Sequence, residues 1–159
     1  MRKVLLAVLV ACMLSLVVAP VRLASADSDD VEPLLCTFDM SIDLASADPY
    51  WSGSISGDIV GTLEVRERWA DNYIVGATEH FFEDNVITTD NGNLIGYDKG
   101  VWNFATFKFR AMGWVTEATD GMADLEGYKM IMRGFTSDFP PSPPNTIVTA
   151  TGTLMLVPP

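Results

Sequence analysis

The feature that most constrains the fold is an alternation of apolar and polar residues with a period of two. In the segment 35–44, Cys36, Phe38, Met40 and Ile42 alternate with polar residues. This period is that of a β-strand with one buried and one solvated face. Further strands are predicted at 58–68, 73–82, 86–89, 94–97, 128–136 and 146–157, and the segment 101–118 is predicted as one long strand or two, with Gly113 as a bend or bulge. Residues 45–57 are predicted to form a loop, and residues 83–85 and 98–100 to form turns. Since no segment shows a convincing helical period, the sequence predicts an all-β fold.

The clearest turn signal is the DNGN sequence of residues 90–93. Asn-Gly supplies positive φ at both central positions of a type I′ turn, so segments 86–89 and 94–97 are predicted to form an antiparallel hairpin. A flat sheet of about eight strands would expose two edges, whereas a closed barrel of that size exposes none. The sequence therefore predicts a single antiparallel eight-stranded barrel, and a two-sheet β-sandwich is the alternative.

The first 26 residues have the layout of a secretory signal peptide. A basic head precedes the apolar run Val4–Ala19, and Ala24 and Ala26 occupy the small-residue positions of a cleavage site. We predict cleavage near Ala26 and a secreted or extracytoplasmic protein that has no membrane span after cleavage. An uncleaved anchor and a lipoprotein lipidated at Cys12 are the alternatives.

The net charge limits the kinds of partner that the protein can bind, and the cysteine content limits its disulfide pairing. The formal net charge of −11 disfavours phosphate backbones, so no nucleic-acid partner is expected. The acidic start of the mature chain, residues 27–34, is predicted to be disordered, and residues 35–159 to form the β-barrel domain. Cys36 is the one cysteine left after cleavage, which excludes an internal disulfide, and its alternation with apolar residues predicts a buried thiol.

The segment TFKFRAMGWVTEAT, residues 106–119, resembles the TGKFRxAxG strand of the allene oxide cyclase and dirigent barrels. Phe107 replaces the glycine that precedes the lysine, and the spacing from Phe109 to Gly113 is one residue shorter. The resemblance implies an eight-stranded, calycin-like antiparallel barrel with an apolar interior, in a protein that enters the secretory route. No catalytic residue of that family has a motif-level counterpart here, so none is carried over.

Four aromatic residues near this segment are the candidate ligand-binding residues. On a continuous strand, Phe107 and Phe109 share one face, and Trp102 and Phe104 share the other. One face should fill the interior, and a loop, a partner subunit or a membrane surface should cover the other. These rings either form plain core or line an apolar pocket.

Few residues have the pattern of a catalytic site. His80 is the single histidine, which is too little for a metal site or a Ser-His-Asp triad, so neither a metal nor a cofactor is expected. The carboxylates that lie in or beside strands are Asp58, Glu64, Glu79 and Asp98. A carboxylate inside an apolar barrel would have a raised pKa. Glu64 is the candidate for this position, and a solvated position on the strand's polar face is the alternative.

Three functional hypotheses follow. The favoured one is an exported barrel, without assigned enzymatic activity, that binds a small apolar or aromatic molecule in its interior. The second is a cyclase- or isomerase-like enzyme that shapes a reactive apolar substrate. The third is a structural envelope protein whose apolar outer face forms homo-oligomers.

Overall fold

The computed structural model describes residues 31–137, 139 and 144–159. The predicted signal peptide and its alternatives lie outside these residues, as do residues 27–30, half of the predicted disordered segment, whose last residue, Leu34, begins β1. The strands are β1 (Leu34–Asp43), β2 (Trp51–Gly57), β3 (Gly61–Glu67), β4 (Tyr73–Val75), β5 (Thr78–Thr89), β6 (Gly92–Asn103), β7 (Lys108–Ala118), β8 (Lys129–Thr136) and β9 (Ile147–Val157). A short 3₁₀ helix, Asp120–Leu125, lies between β7 and β8. No helix among the described residues is long and apolar enough to cross a membrane.

Eight strands close into an antiparallel barrel, which confirms the predicted fold class. The order runs β3-β2-β1-β9-β8-β7-β6-β5, and pairing of β3 with the second half of β5 closes the ring. The short strand β4 adds to the first half of β5 outside the ring. Closure satisfies the backbone groups that an open sheet of this size would leave at its edges.

The core fills the barrel as the alternation predicts. Phe38, Ile42, Leu63 and Val65 are at most 2% exposed, and their outward neighbours are solvated. Cys36 is buried among them as a free thiol, as predicted. One barrel end is closed by the short β2–β3 and β5–β6 turns and the 3₁₀ helix. The other end carries the longer connections β1–β2, β3–β4 and β8–β9, and is called here the loop end.

The DNGN hairpin forms, but with a different turn. Thr89 pairs with Gly92 and Val86 with Ile95, so Asp90 and Asn91 form the two-residue tip. Positive φ is found at Gly92, at 135°, and not at Asn91. The predicted type I′ turn is therefore wrong, because glycine takes the strained position at the start of β6 rather than at the tip.

Two predicted breaks do not occur, and two of the predicted strand segments are divided. Segment 73–82 is divided by a turn at residues 76–77. Residues 83–85 and 98–100, read as turns, lie inside the long strands β5 and β6. Residues 51–57, read as part of a loop, form β2. The segment 101–118 turns at residues 104–107, where Phe107 has a φ of 56°. Cross-strand pairing on both sides holds residues 51–57, 83–85 and 98–100 extended, although their local sequence favours turns.

Candidate functional site

A row of three acidic residues crosses the inner wall of the barrel. Glu67 on β3 is the cross-strand partner of Glu83 on β5, and Glu83 is the partner of Asp98 on β6. Glu83 and Asp98 are buried, and Glu67 is partly exposed. Like charges directly opposite each other destabilise a sheet, so this row is unfavourable when all three carboxyls are ionised. We call these three residues the acid row.

Glycine makes room for the acid row. Gly113 on β7 is the next residue along the same line, opposite Asp98. A Cβ at Gly113 would lie 2.6 Å from the Cβ of Asp98 and would overlap the carbonyl oxygen of Tyr97. A side chain at this position would therefore displace Asp98, which explains a glycine in the middle of a long strand.

Hydrogen bonds hold the carboxyl of Glu67, on the loop-end side of the acid row. The indole Nε1 of Trp51 donates to Oε1 of Glu67 at 2.9 Å. The amide of Asn72 donates to Oε2 of Glu67 at 3.0 Å and to Oε1 of Glu79 at 3.2 Å, and its oxygen accepts from the backbone N–H of Phe82. Asn72 therefore joins two inward carboxyls and fixes them to the start of β5.

Burial raises the pKa of each acid in this region. Desolvation raises the pKa of Glu67 from 4.5 to about 7, with Glu79 adding repulsion. Desolvation also raises the pKa of Asp98 from 3.8 to about 6. The pKa of Glu83 is raised well above its ordinary value, first by desolvation and then by Asp98. At least part of the acid row is therefore neutral near pH 7.

A proton on Glu83 would supply a donor to Asp98. The amide of Asn85 donates to Oδ2 of Asp98 at 3.0 Å, while Oδ1 of Asp98 and Oδ1 of Asn85 have no partner. A neutral Glu83 has an O–H that it can donate to its neighbour Asp98, whereas an ionised Glu83 has no donor. Among the residues that the structure describes, the buried polar side chains are Glu79, Glu83, Asn85 and Asp98, so no buried base neutralises the row.

A small void lies between the acid row and the aromatic residues of the loop end. Glu67, Glu83, Trp51, Trp102 and Phe109 are among its lining residues, and its volume is about 20 Å³. A space of that size holds one water molecule and no organic ligand. The barrel interior is therefore nearly filled by its own side chains.

Four aromatic rings pack together at the loop end, and two of them, Trp51 and Trp102, line the void. Trp102 lies edge-on to Trp51 and to Phe104, with ring centroids 6.4 Å and 5.0 Å apart, respectively. The ring of Phe139 packs against Trp102, with centroids 4.9 Å apart, and stacks on Phe104, with centroids 5.6 Å apart. The indole Nε1 of Trp102 donates to Thr136 at 3.0 Å. Distances of this kind are typical of favourable aromatic pairs. We call these four rings the aromatic cluster.

The structure separates the five residues proposed from the sequence. Trp102 and Phe109 are cross-strand partners that both line the void, and Phe104 belongs to the aromatic cluster. Phe107 lies in the β6–β7 turn. Glu64 is exposed on the outer face, because Leu63 and Val65 take the two inward positions beside it. The inward position proposed for Glu64 is therefore wrong, and Glu67 is the inward acid of β3.

The sequence pattern identifies Glu79 and Asp98 as strand carboxylates, but it assigns no role to Glu67 or Glu83. A signal was present in β5, where Glu79, Glu83 and Asn85 alternate with the same period as Phe81 and Ile87. Both faces of this strand contain apolar and polar residues, so the period alone does not show which face is inside.

Within the described part of the chain, no group of three or more His, Cys, Asp or Glu side chains has a geometry that would hold a metal ion. Comparisons of the chain with protein-family models, curated proteins and solved structures find no match. The resemblance to the allene oxide cyclase and dirigent barrels therefore stays a prediction.

Proposed function

We propose that this barrel is a binding protein for a small apolar molecule that carries an aromatic ring and a hydrogen-bond donor. The place proposed for the ring is the aromatic cluster, and the place proposed for the donor is the carboxyl of Glu67. The interior void of about 20 Å³ is too small for such a ligand, so the ligand must take a position at the loop end.

The contacts of Phe139 carry this proposal. Its ring packs against Trp102 and Phe104 and is itself part-exposed, so the loop end already accommodates one aromatic ring. A ligand ring that replaced this phenyl group would keep the same partners. The void is lined by Trp102, which Phe139 contacts, and by Glu67, whose carboxyl would accept a hydroxyl or amine hydrogen from the ligand.

The test is a calorimetric titration of p-cresol and toluene into the wild type and the Phe139→Ala variant. If Phe139 competes with the ligand, its removal should tighten p-cresol binding by about tenfold or more. Toluene should bind more weakly than p-cresol, because it has no donor for Glu67. The control is Phe135→Ala, which removes an outward ring that is 55% exposed, and should leave the affinity unchanged. Absence of p-cresol binding to Phe139→Ala would refute the proposal.

A second candidate is a cyclase- or isomerase-like enzyme, and one observation favours it. Glu67 and Glu83 border the void and have raised pKa values, which suits a general acid or base near neutral pH. A Glu67→Gln variant that binds a ligand but no longer converts it would favour the enzyme. Recovery of every bound molecule unchanged from the wild type would favour the binding protein.

Export and self-association also belong to the proposal. N-terminal sequencing of the protein from its native host should begin just after Ala26 if the signal peptide is cleaved. The formation of homo-oligomers is supported by Tyr97 and Trp114 on the outer face. Their rings are both exposed and lie side by side, with centroids 6.1 Å apart. A monomeric mass by light scattering at all concentrations would contradict that role.

A further inference from the structure

Five of the seven Lys and Arg residues in the described ranges lie on one outer wall. Arg66 and Arg68 form ion pairs with Asp48 and Asp84. The other basic residues in the described ranges all lie on three adjacent strands, β6, β7 and β8. They are Lys99, Lys108, Arg110, Lys129 and Arg133. For a chain of net charge −11, this concentration of unpaired cations is unexpected.

The centre of this wall is a pair of arginines. Arg110 on β7 and Arg133 on β8 are direct cross-strand partners, and both side chains are exposed. Residues opposite each other on antiparallel strands lie close enough to interact, and like charges there are unfavourable. Within the described ranges, neither guanidinium has a salt bridge to an acid. This pair therefore breaks a local rule of sheet stability, and sites that break such rules are often functional.

The neighbours of the arginines form a shaped surface rather than a flat one. A hollow of about 510 Å³ is lined by both arginines together with Lys108, Asn103 and Phe135. The Lys108 ammonium lies over the ring of Phe135, 5.5 Å from its centroid. The hollow thus combines three cations with an exposed aromatic ring on strands that the barrel holds rigid.

We propose that Arg110 and Arg133 bind the phosphate group of a small phosphate monoester whose apolar part lies against Phe135. Guanidinium groups recognise phosphate through paired, charge-assisted hydrogen bonds, and two of them on adjacent strands present donors from both sides. The bound dianion offsets the repulsion between the arginines. This site lies on the outer wall and is independent of the ligand proposed for the loop end.

The net negative charge of the molecule favours a small anionic ligand over a large anionic partner. A nucleic acid or an anionic membrane extends beyond the patch and meets the acidic remainder of the surface, which repels it. A single phosphate group fits within the patch. Contact with the ring of Phe135 would give a phosphate ester a higher affinity than inorganic phosphate.

The test is a titration at low ionic strength with phenyl phosphate, inorganic phosphate and phenol, followed by calorimetry. We expect saturable binding of phenyl phosphate that is tighter than that of inorganic phosphate, and no binding of phenol to this site. Arg110→Gln and Arg133→Gln should each weaken phenyl phosphate binding by about tenfold or more. Lys129→Gln removes one charge from the same strand as Arg133, outside the hollow, and should change the affinity little.

Two further readouts separate this site from its alternatives. Phenyl phosphate should raise the melting temperature of the wild type but not of Arg133→Gln, and salt should weaken the effect. Unchanged affinity in both arginine variants would overturn the proposal. So would binding to phosphatidic acid vesicles without binding to phenyl phosphate, because that result would identify a membrane surface as the partner.

Discussion

The replacement Glu67→Gln should remove the pH dependence that Glu67 gives to the stability of the barrel. In the folded protein the pKa of Glu67 is about 7, whereas its ordinary value is 4.5. Between these two pH values the folded state keeps a proton that the unfolded chain has already released. The free energy of unfolding therefore falls as the pH rises through this window, and the full contribution is present only below it.

The magnitude follows from the pKa values. Raising the pKa from 4.5 to about 7 corresponds to a loss of about 3 kcal/mol between pH 4 and pH 8, an upper value because Glu67 is partly exposed. Glutamine has one acceptor oxygen, so it keeps only one of the hydrogen bonds from Trp51 and Asn72, at a cost of about 1 kcal/mol. The variant should thus be less stable than the wild type at pH 4 and about 2 kcal/mol more stable at pH 8.

The assay is urea unfolding of both proteins at several pH values, with the stability difference plotted against pH. The two stability curves should cross between about pH 5 and pH 6. Glu64→Gln is the matched control, since Glu64 lies on the same strand with its side chain exposed, and it should show no crossing. A difference between wild type and Glu67→Gln that is constant from pH 4 to pH 8 would refute the reasoning.

Three other predictions concern packing and access. Gly113→Ala should destabilise the barrel by about 3 kcal/mol or more in urea unfolding, because the new methyl group overlaps Asp98 and the β6 backbone; a loss below about 1 kcal/mol would contradict the proposed crowding. Thr136→Val should cost about 1–2 kcal/mol, because it removes the acceptor of the Trp102 indole N–H, and an unchanged urea midpoint would argue against that bond. In a Cys12→Ser background, a thiol reagent should label Cys36 only at the rate of unfolding, since this thiol is 3% exposed and burial raises its pKa; fast labelling of the folded protein would contradict its buried position.

The alternation in β1 was enough to predict both the strand and its faces. Phe38 and Ile42 are fully apolar and their neighbours are polar, so only one orientation buries apolar surface. The same argument explains why the closed barrel was predictable, since similar strands recur along the whole chain. The hairpin around residues 90–93 was predictable from local chemistry, although the position of positive φ within it was not.

The acid row was not predictable, because its formation depends on register. Glu67, Glu83 and Asp98 are separated by 16 and 15 positions in the sequence, and only the pairing of β3 with β5 and of β5 with β6 places them in one line. A shift of one residue in either pairing would break this line. The residues 83–85 were read as a turn because acidic residues and asparagine favour turns, and tertiary pairing overrides that preference.

The position of the acid row follows from how the barrel is filled. Most levels of the barrel are packed by large apolar side chains, whereas the level of the acid row combines three carboxyls with a glycine opposite Asp98. An apolar side chain in place of Glu83 or Asp98 would avoid the desolvation cost that raises their pKa values. Because Glu67 and Glu83 line the same void as Trp51 and Trp102, the destabilised level adjoins the proposed ligand position. This arrangement is expected if the carboxyls bind the ligand, and the stability of the barrel alone does not explain it.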